Sequence, residues 1–187
     1  MKIGNALQEL ASVRRIHNVF DDGGYKELLL LSLFNLAKGG DRTGNDAIDD
    51  QGREYEIKTV ARVSAKGERK KYLNVTTEHT LTLENVERYR NVHLWIVAVF
   101  DQSNPEVIYE IPPARLERYF SIWEAKLRGQ ELNRREGGAP NHLNNPKIPL
   151  SYIANHGIVV WDARKAEQMH LPTQVKHGLL KADELLG

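Results

Sequence analysis

The chain has 187 residues, of which 41% are hydrophobic, with no cysteine and a formal net charge of +1. This length and apolar fraction predict one globular domain with a substantial core. The absence of cysteine excludes a disulfide framework and a cysteine-based zinc site, and the near-neutral charge does not by itself indicate nucleic-acid binding. No apolar run approaches the roughly 20 residues of a membrane-spanning helix, and the first residues lack the apolar segment of a signal peptide, so we expect a cytoplasmic protein.

Helices and strands are predicted to alternate along the chain. The run 94–100 is apolar throughout, as in a strand buried on both faces, whereas 129–149 is rich in Gly, Asn and Pro and predicts an irregular segment. Together the elements predict an α/β fold, with a mixed central sheet flanked by helices on both faces. In chain order they are helices at 5–18 and 25–38 (the second ending at Gly39), strands near 45–49, 53–63 and 71–77, a helix capped by Thr82 and ending near 90, strands at 94–100 and 106–111, a helix from 112 to about 127, a strand at 158–161 and a terminal helix at 175–186.

Three charged side chains on the first predicted hairpin are the strongest candidates for chemistry. Glu56 and Lys58 are two residues apart in a strand, so they share one face, and the turn 49–52 folds the segment bearing Asp46 back beside them. Two carboxylates next to an ammonium group can hold Mg²⁺ and position a water on a phosphodiester. The alternative is a solvated ion pair on an exposed strand.

Six sequence blocks, among them Gly44 to Asp49, Glu54 to Lys58 and Asn144 to Pro149, resemble in type and order those of the PvuII-type restriction endonucleases of the PD-(D/E)xK nuclease superfamily. The block Asn-Asn-Pro-Lys-Ile-Pro is the most specific, since it has no generic structural reason to exist. The resemblance spans roughly residues 18 to 161. Its blocks are Gly44 to Asp49, Glu54 to Lys58, Tyr89 to Val92, Ile108-Tyr109 with Trp123, Asn144 to Pro149 and His156-Gly157.

The resemblance implies a role for each residue of the hairpin. Asp46 and Glu56 would be Mg²⁺ ligands together with the backbone carbonyl of Ile57, and Lys58 would orient or deprotonate the attacking water. Tyr89 matches a family tyrosine near the active site, where its hydroxyl would help to organise a metal-bound water. The alternative for Tyr89 is an ordinary half-buried aromatic residue of a helix.

The resemblance also implies which residues read DNA. Asn144 and Asn145 would contact adenine in the major groove, because an asparagine amide matches the N6 donor and N7 acceptor of that base. Here Glu78 precedes His79, and Thr80 stands where the family has another histidine, so the family site CAGCTG is expected to be kept only in its outer A·T pairs. The full set of expected DNA-binding residues is Asp22, which would approach the minor groove, and Thr77, His79, Thr80, Asn144, Asn145 and Lys147.

A C2 homodimer follows from the resemblance, because a palindromic site needs two active sites related by the DNA dyad. Residues 1–40 are expected to form a helical dimerisation region, 41–161 the catalytic and DNA-reading core, and 162–187 a C-terminal extension. The stripe Leu7, Leu10, Val13 and Ile16 is a candidate for part of the interface or, equally, for a face of the core. The basic residues Arg62, Lys66, Arg69, Lys70 and Lys71 are either phosphate contacts or a solvated hairpin tip.

The sequence thus predicts a Mg²⁺-dependent type II restriction endonuclease of the prokaryotic cytoplasm, which cuts both strands of a short palindromic duplex and leaves 5′-phosphate and 3′-hydroxyl ends. A cognate DNA methyltransferase is the expected functional partner. One alternative is a structure-selective nuclease of the same superfamily, such as a junction resolvase or a nicking enzyme. Another is a DNA-binding module without activity.

Overall fold

The computed structural model describes residues 2–18, 20, 23–39, 45–64, 66–132 and 141–165. Within this part of the chain, no helix is both long enough and apolar enough to cross a membrane. The helices are α1 (Lys2–Val13), α2 (Gly24–Leu33), α3 (Leu83–Asn91), α4 (Glu117–Leu132) and α5 (Leu150–His156), with short 3-10 helices at Pro113–Leu116 and Ala163–Lys165. The strands are β1 (Ala37–Lys38), β2 (Ala47–Ile48), β3 (Glu54–Ala61), β4 (Asn74–Thr76), β5 (Thr80–Leu81), β6 (Leu94–Asp101), β7 (Asn104–Ile111), β8 (Leu143–Asn144), β9 (Lys147–Pro149) and β10 (Ile158–Asp162).

Six strands form one central sheet in the order β1-β2-β3-β6-β7-β10. The pair β3 and β6 is parallel, and the other four pairs are antiparallel, so the sheet is mixed as predicted. The remaining strands form two short antiparallel pairs, β4 with β9 and β5 with β8.

Strand β6 separates two apolar layers. Trp95, Val97 and Val99 pack with residues of α3, α4 and α5 on one face. The alternate residues Ile96, Ala98 and Phe100 pack with α1 and α2 on the other. A strand covered on both sides needs an uninterrupted apolar sequence, which is why the run 94–100 predicted this position correctly.

The first two helices are shorter than predicted because both end in a left-handed residue that is not glycine. Arg15 has φ 65 after α1, and Asn35 has φ 53 after α2. In each case an amide bonds back to a carbonyl five residues earlier, Ile16 to Ala11 at 2.9 Å and Leu36 to Leu31 at 2.8 Å, as in a Schellman motif. Without a glycine to mark the end, the apolar pattern extended both predictions too far.

The predicted stripe of α1 is therefore not one buried face. Ile16 lies beyond the helix and is buried, whereas Leu10 and Val13 are exposed to 40% and 78%. Lys38, predicted as the end of the second helix, instead belongs to the edge strand β1.

The C-terminal half differs from the prediction in three places. Pro113 begins a 3-10 turn before α4, which continues to Leu132. The segment predicted to be irregular contains β8 and β9, and α5 was not predicted. Residues 133–140 and the predicted terminal helix at 175–186 lie outside the described residues.

Candidate active site

A tight hairpin between β2 and β3 positions Asp46 beside β3. The turn is built by Asp49, whose Oδ1 accepts hydrogen bonds from the amides of Gln51 (3.0 Å) and Arg53 (2.9 Å). Ala47 then pairs with Tyr55, and Asp46, one residue before β2, accepts a 2.9 Å hydrogen bond from the amide of Ile57 at its Oδ2. The predicted return of Asp46 to the catalytic strand is thus present in the structure.

Gly39 allows β1 to approach this segment closely. Its amide donates to the carbonyl of Asp46 at 3.0 Å, and a Cβ at position 39 would collide with the carbonyl oxygen of Asn45. The glycine that was predicted to end a helix therefore packs behind the segment that carries Asp46, where a side chain would displace that residue.

Glu56 and Lys58 both point to the face of the sheet that carries α3. They lie opposite Trp95 and Val97 in the parallel pairing of β3 with β6, and both of those residues belong to the α3 layer. The Lys58 ammonium contacts Oε1 of Glu56 and lies 4.0 Å from Oδ2 of Asp46. The Glu56 side chain is 1% exposed and that of Lys58 is 16% exposed, so this is not a solvated surface pair.

Burial sets the protonation behaviour of the pair. It raises the pKa of Glu56 to about 7, because the nearby Lys58 ammonium only partly offsets desolvation and Asp46 adds a second negative charge. Burial alone would lower the pKa of Lys58, but the carboxylates of Glu56 and Asp46 outweigh it and raise that pKa above its usual value. Lys58 is therefore held as a cation.

Tyr89 of α3 completes one wall of this site. Its ring lies 5.6 Å from the Lys58 ammonium and packs edge-on against Trp95 at 4.7 Å. The residue is fully buried, yet its hydroxyl has no hydrogen-bond partner among the described residues, and burial raises its pKa. The ring is thus part of the core, while the hydroxyl remains available to a bound group.

The oxygen atoms of the site suit a hard divalent cation. Oε2 of Glu56 is buried and lacks a hydrogen bond to any described residue. The N–H and C=O of one strand residue point to the same neighbour, so the carbonyl of Ile57 faces the edge from which Asp46 approaches. In the described part of the chain no three His, Cys, Asp or Glu side chains gather into a metal cluster. Mg²⁺ is commonly held by one or two carboxylates and completed by water and phosphate oxygens, so this donor set fits it.

The two segments predicted to read DNA lie side by side. Asn74, Val75 and Thr76 pair with Pro149, Ile148 and Lys147, while Thr80 pairs with Asn144. Between these pairs, the amide of Asn145 donates to the carbonyl of His79 at 3.1 Å and the two side chains are 2.8 Å apart. We call these paired segments, 74–81 and 143–149, the recognition ribbon. His79, Thr80, Asn144 and Lys147 are exposed on it.

Thr77 differs from its neighbours on the recognition ribbon. It is buried, and both its amide (3.2 Å) and its hydroxyl (2.9 Å) donate to the carbonyl of Pro146. The only side-chain donor hydrogen of Thr77 is thus used inside the protein, which argues against the expected contact of Thr77 with a base. These two hydrogen bonds join segment 74–81 to segment 143–149. Asp22, the expected minor-groove contact, lies outside the described residues.

Arg88 was not singled out from the sequence, although it contacts both the recognition ribbon and Tyr89 of the candidate site. Its guanidinium lies 2.7 Å from Oε1 of Glu78 and 5.5 Å from the centre of the Tyr89 ring. Burial alone would lower its pKa, but the charges of Glu56 and Glu78 raise it. An arginine beside a tyrosine on a helix carries no sequence signal for this role, since Glu78 is ten residues away.

The segments that form the hairpin and the recognition ribbon fall within a single family match. The model of the restriction endonuclease PvuII family matches residues 1–161. This range includes all the described elements up to β10 and covers most of the chain. Because the match covers far more than half of the sequence, the chain belongs to the PvuII restriction endonuclease family and is accordingly a nuclease.

Proposed function

We propose that this protein is a type II restriction endonuclease that hydrolyses both strands of a short palindromic DNA site related to CAGCTG. The observation that carries the proposal is the convergence of Asp46, Glu56 and Lys58 on one edge of β3. The exposed recognition ribbon supports site-specific cleavage, since a nuclease that selects only DNA structure has no need for base-reading amides.

The residues suggest a division of labour at the phosphate. Mg²⁺, bound by Asp46, Glu56 and the carbonyl of Ile57, would polarise the phosphodiester and lower the pKa of a water. Lys58 stays protonated because two carboxylates adjoin it, so we assign it the role of hydrogen-bond donor to the attacking water or to the charge that grows on the phosphate. The bond from the Ile57 amide holds Asp46 in place for this arrangement. Hydrolysis leaves a 5′-phosphate and a 3′-hydroxyl.

Exposed apolar residues support a homodimer formed through the region 1–40. Leu10, Val13, Phe20 and Tyr25 are large hydrophobic residues there, and each is at least 40% exposed. A monomer gains nothing from such exposure, whereas a second copy would cover these side chains and place two active sites about one dyad. Ile16 is excluded from this interface because it is buried within the monomer.

The direct test is digestion of mixed-sequence plasmid DNA with the purified protein and Mg²⁺, followed by sequencing of the fragment ends. We expect discrete fragments with 5′-phosphate and 3′-hydroxyl ends that share one short palindrome. Lys58→Ala should abolish cutting. Lys126→Ala is the matched control, since Lys126 is exposed and follows a glutamate at the same spacing but lies on helix α4.

A parallel digest of a four-way junction separates the two nuclease classes. Preferential cutting of the junction, with no discrete plasmid fragments, would support the structure-selective alternative. A cognate methyltransferase is expected to protect the same palindrome in a prokaryotic cytoplasm, and methylated plasmid should then resist digestion.

A further inference from the structure

Residues 62–64 and 66–71 belong to a basic hairpin next to the recognition ribbon. Val63 pairs with Arg69 in antiparallel fashion. The amide of Ser64 donates to the carbonyl of Glu68 at 2.8 Å, and that of Lys70 donates to Arg62 at 2.9 Å. The basic side chains of this hairpin are thus attached to a defined backbone.

The two arginines of the hairpin serve as anchors. Arg62 makes two hydrogen bonds of 2.7 Å with Glu106 on β7, and Arg69 lies 3.3 Å from Asp101 at the end of β6. Arg62 thus fits neither of the two alternatives left open for the basic cluster, a phosphate contact or a solvated hairpin tip, because its guanidinium is engaged by a carboxylate and mostly buried.

The lysines of the hairpin have no such partners. Lys66, Lys70 and Lys71 are exposed and form no ion pair with a described residue. Lys71 lies 5.4 Å above the ring of Tyr72, which is itself 76% exposed. Beside them is an open groove of about 490 Å³, whose walls include Asn74 and Ser151. Ammonium, phenol, amide and hydroxyl groups are the donors that proteins use to bind phosphodiester oxygens.

The hairpin leads without interruption into the recognition ribbon. The carbonyl of Leu73 accepts a 2.9 Å bond from the amide of Leu150, which continues the pairing of β4 with β9. Along this ribbon Val75 and Ile148 are buried, whereas Asn74, Thr76 and Lys147 are exposed on the opposite face. A two-stranded ribbon of this kind fits the major groove of B-DNA.

The length of the ribbon places the hairpin outside a short site. Leu150 comes five positions after Asn145, which corresponds to about 16 Å of extended chain. Because B-DNA rises about 3.4 Å per base pair, this length corresponds to roughly five base pairs. With the ribbon lying along the duplex and Asn144 and Asn145 at an adenine, a hairpin at that distance would contact DNA beyond a six-base-pair palindrome.

We propose that Lys70, Lys71 and Tyr72 bind phosphates of the duplex that flanks the recognition site. The inference rests on the proposed function, since it takes duplex DNA as the substrate. The net charge of the chain is only +1, so the contribution must come from this local patch rather than from the charge of the whole protein.

The test compares duplexes of about 10 and about 24 base pairs centred on CAGCTG and on its variants at the central base pairs, with binding measured in Ca²⁺ over a range of salt concentrations. The variants are Lys70→Ala/Lys71→Ala and a control, Lys126→Ala/Lys165→Ala, which removes two exposed positive charges elsewhere. We expect the hairpin variant to bind the long duplex roughly tenfold more weakly than the wild type does. For this variant, the slope of the logarithm of the binding constant against the logarithm of the salt concentration should fall in magnitude by about two, one for each lost phosphate contact. Its affinity for the short duplex and the melting temperature should match those of the control.

Equal losses on both duplexes, or no loss on either, would overturn the inference. Plasmid cleavage by the wild-type protein keeps this result separate from the nuclease assignment. If the wild type cuts plasmid but the hairpin variant binds the long duplex as tightly as the control variant does, only the flanking contact is refuted. If the hairpin variant binds the long duplex more weakly than the control variant but the wild type never cuts plasmid, only the proposed nuclease activity is refuted.

Discussion

The buried carboxylate of Glu56 should destabilise the metal-free protein, and Glu56→Gln should relieve that cost. Its side chain is 1% exposed, and one of its oxygen atoms has no hydrogen bond to a described residue. Burial accordingly raises the pKa from 4.5 to about 7, in spite of the adjacent Lys58. Glutamine keeps the shape of the side chain but has no charge to desolvate.

The size of the effect follows from linkage. A raised carboxyl pKa means that the native state binds the proton more tightly than the unfolded state, so the stability is present below pH 4.5 and is lost as the pH rises through 7. At about 1.4 kcal/mol for each tenfold change in proton affinity, the full loss is roughly 3 kcal/mol at pH 8 and about 1 kcal/mol at pH 5. Glu56→Gln should gain up to these amounts.

Urea unfolding in the presence of a chelator measures this difference directly. The wild type, Glu56→Gln and the control Glu131→Gln, an exposed carboxylate at the end of α4, should be compared at both pH values. Mg²⁺ at about 100 times its dissociation constant should then stabilise the wild type by roughly 2.7 kcal/mol and leave Glu56→Gln, which lacks the proposed ligand, nearly unchanged. The reasoning is refuted if Glu56→Gln is less stable than the wild type at pH 8, or if the difference does not depend on pH.

Three further substitutions test single contacts. Tyr89→Phe should lower the cleavage rate while leaving thermal stability unchanged or higher by up to about 1 kcal/mol, since the buried hydroxyl has no described partner; a clear loss of stability would reveal one. Thr77→Val removes the 2.9 Å hydrogen bond to Pro146 and should lower the free energy of unfolding in urea by about 1 kcal/mol. It should also weaken binding of the DNA site several-fold, while the rate of cleavage of bound DNA stays the same. An unchanged affinity for the site would contradict the role of Thr77 in the recognition ribbon. Glu78→Gln should weaken the ion pair with Arg88 and change the relative cleavage of duplexes altered at the central base pairs; an unchanged preference would place Glu78 away from the bases.

Local patterns predicted the catalytic hairpin well, because its geometry depends on neighbours in sequence. Alternation along β3 places Glu56 and Lys58 on one face, and turn chemistry at Asp49 returns Asp46 to that strand. The same holds for Thr82, whose hydroxyl accepts a hydrogen bond from the amide of Asn85 in a capping box, as predicted for the start of α3.

The prediction failed where the local signal was missing. Arg15 and Asn35 end their helices in a left-handed conformation that glycine adopts most readily, and both helices pack on the sheet. Three short strands of the recognition ribbon, β5, β8 and β9, were also missed, since two- and three-residue strands have no period to detect, whereas β4 lies within the strand predicted near 71–77.

The sequence by itself determined the family, the charged trio and the alternation that aligns it, all of which depend on residues close together in the chain or on motifs. Tertiary structure alone decided what surrounds them. The burial of Glu56, the approach of Tyr89 to Lys58 and the bond from Thr77 to Pro146 each need segments that are distant in sequence. The physical reason is that desolvation and long-range pairing depend on the atoms that fill the space around a group, and that space is defined only once β3, β6 and α3 have packed together.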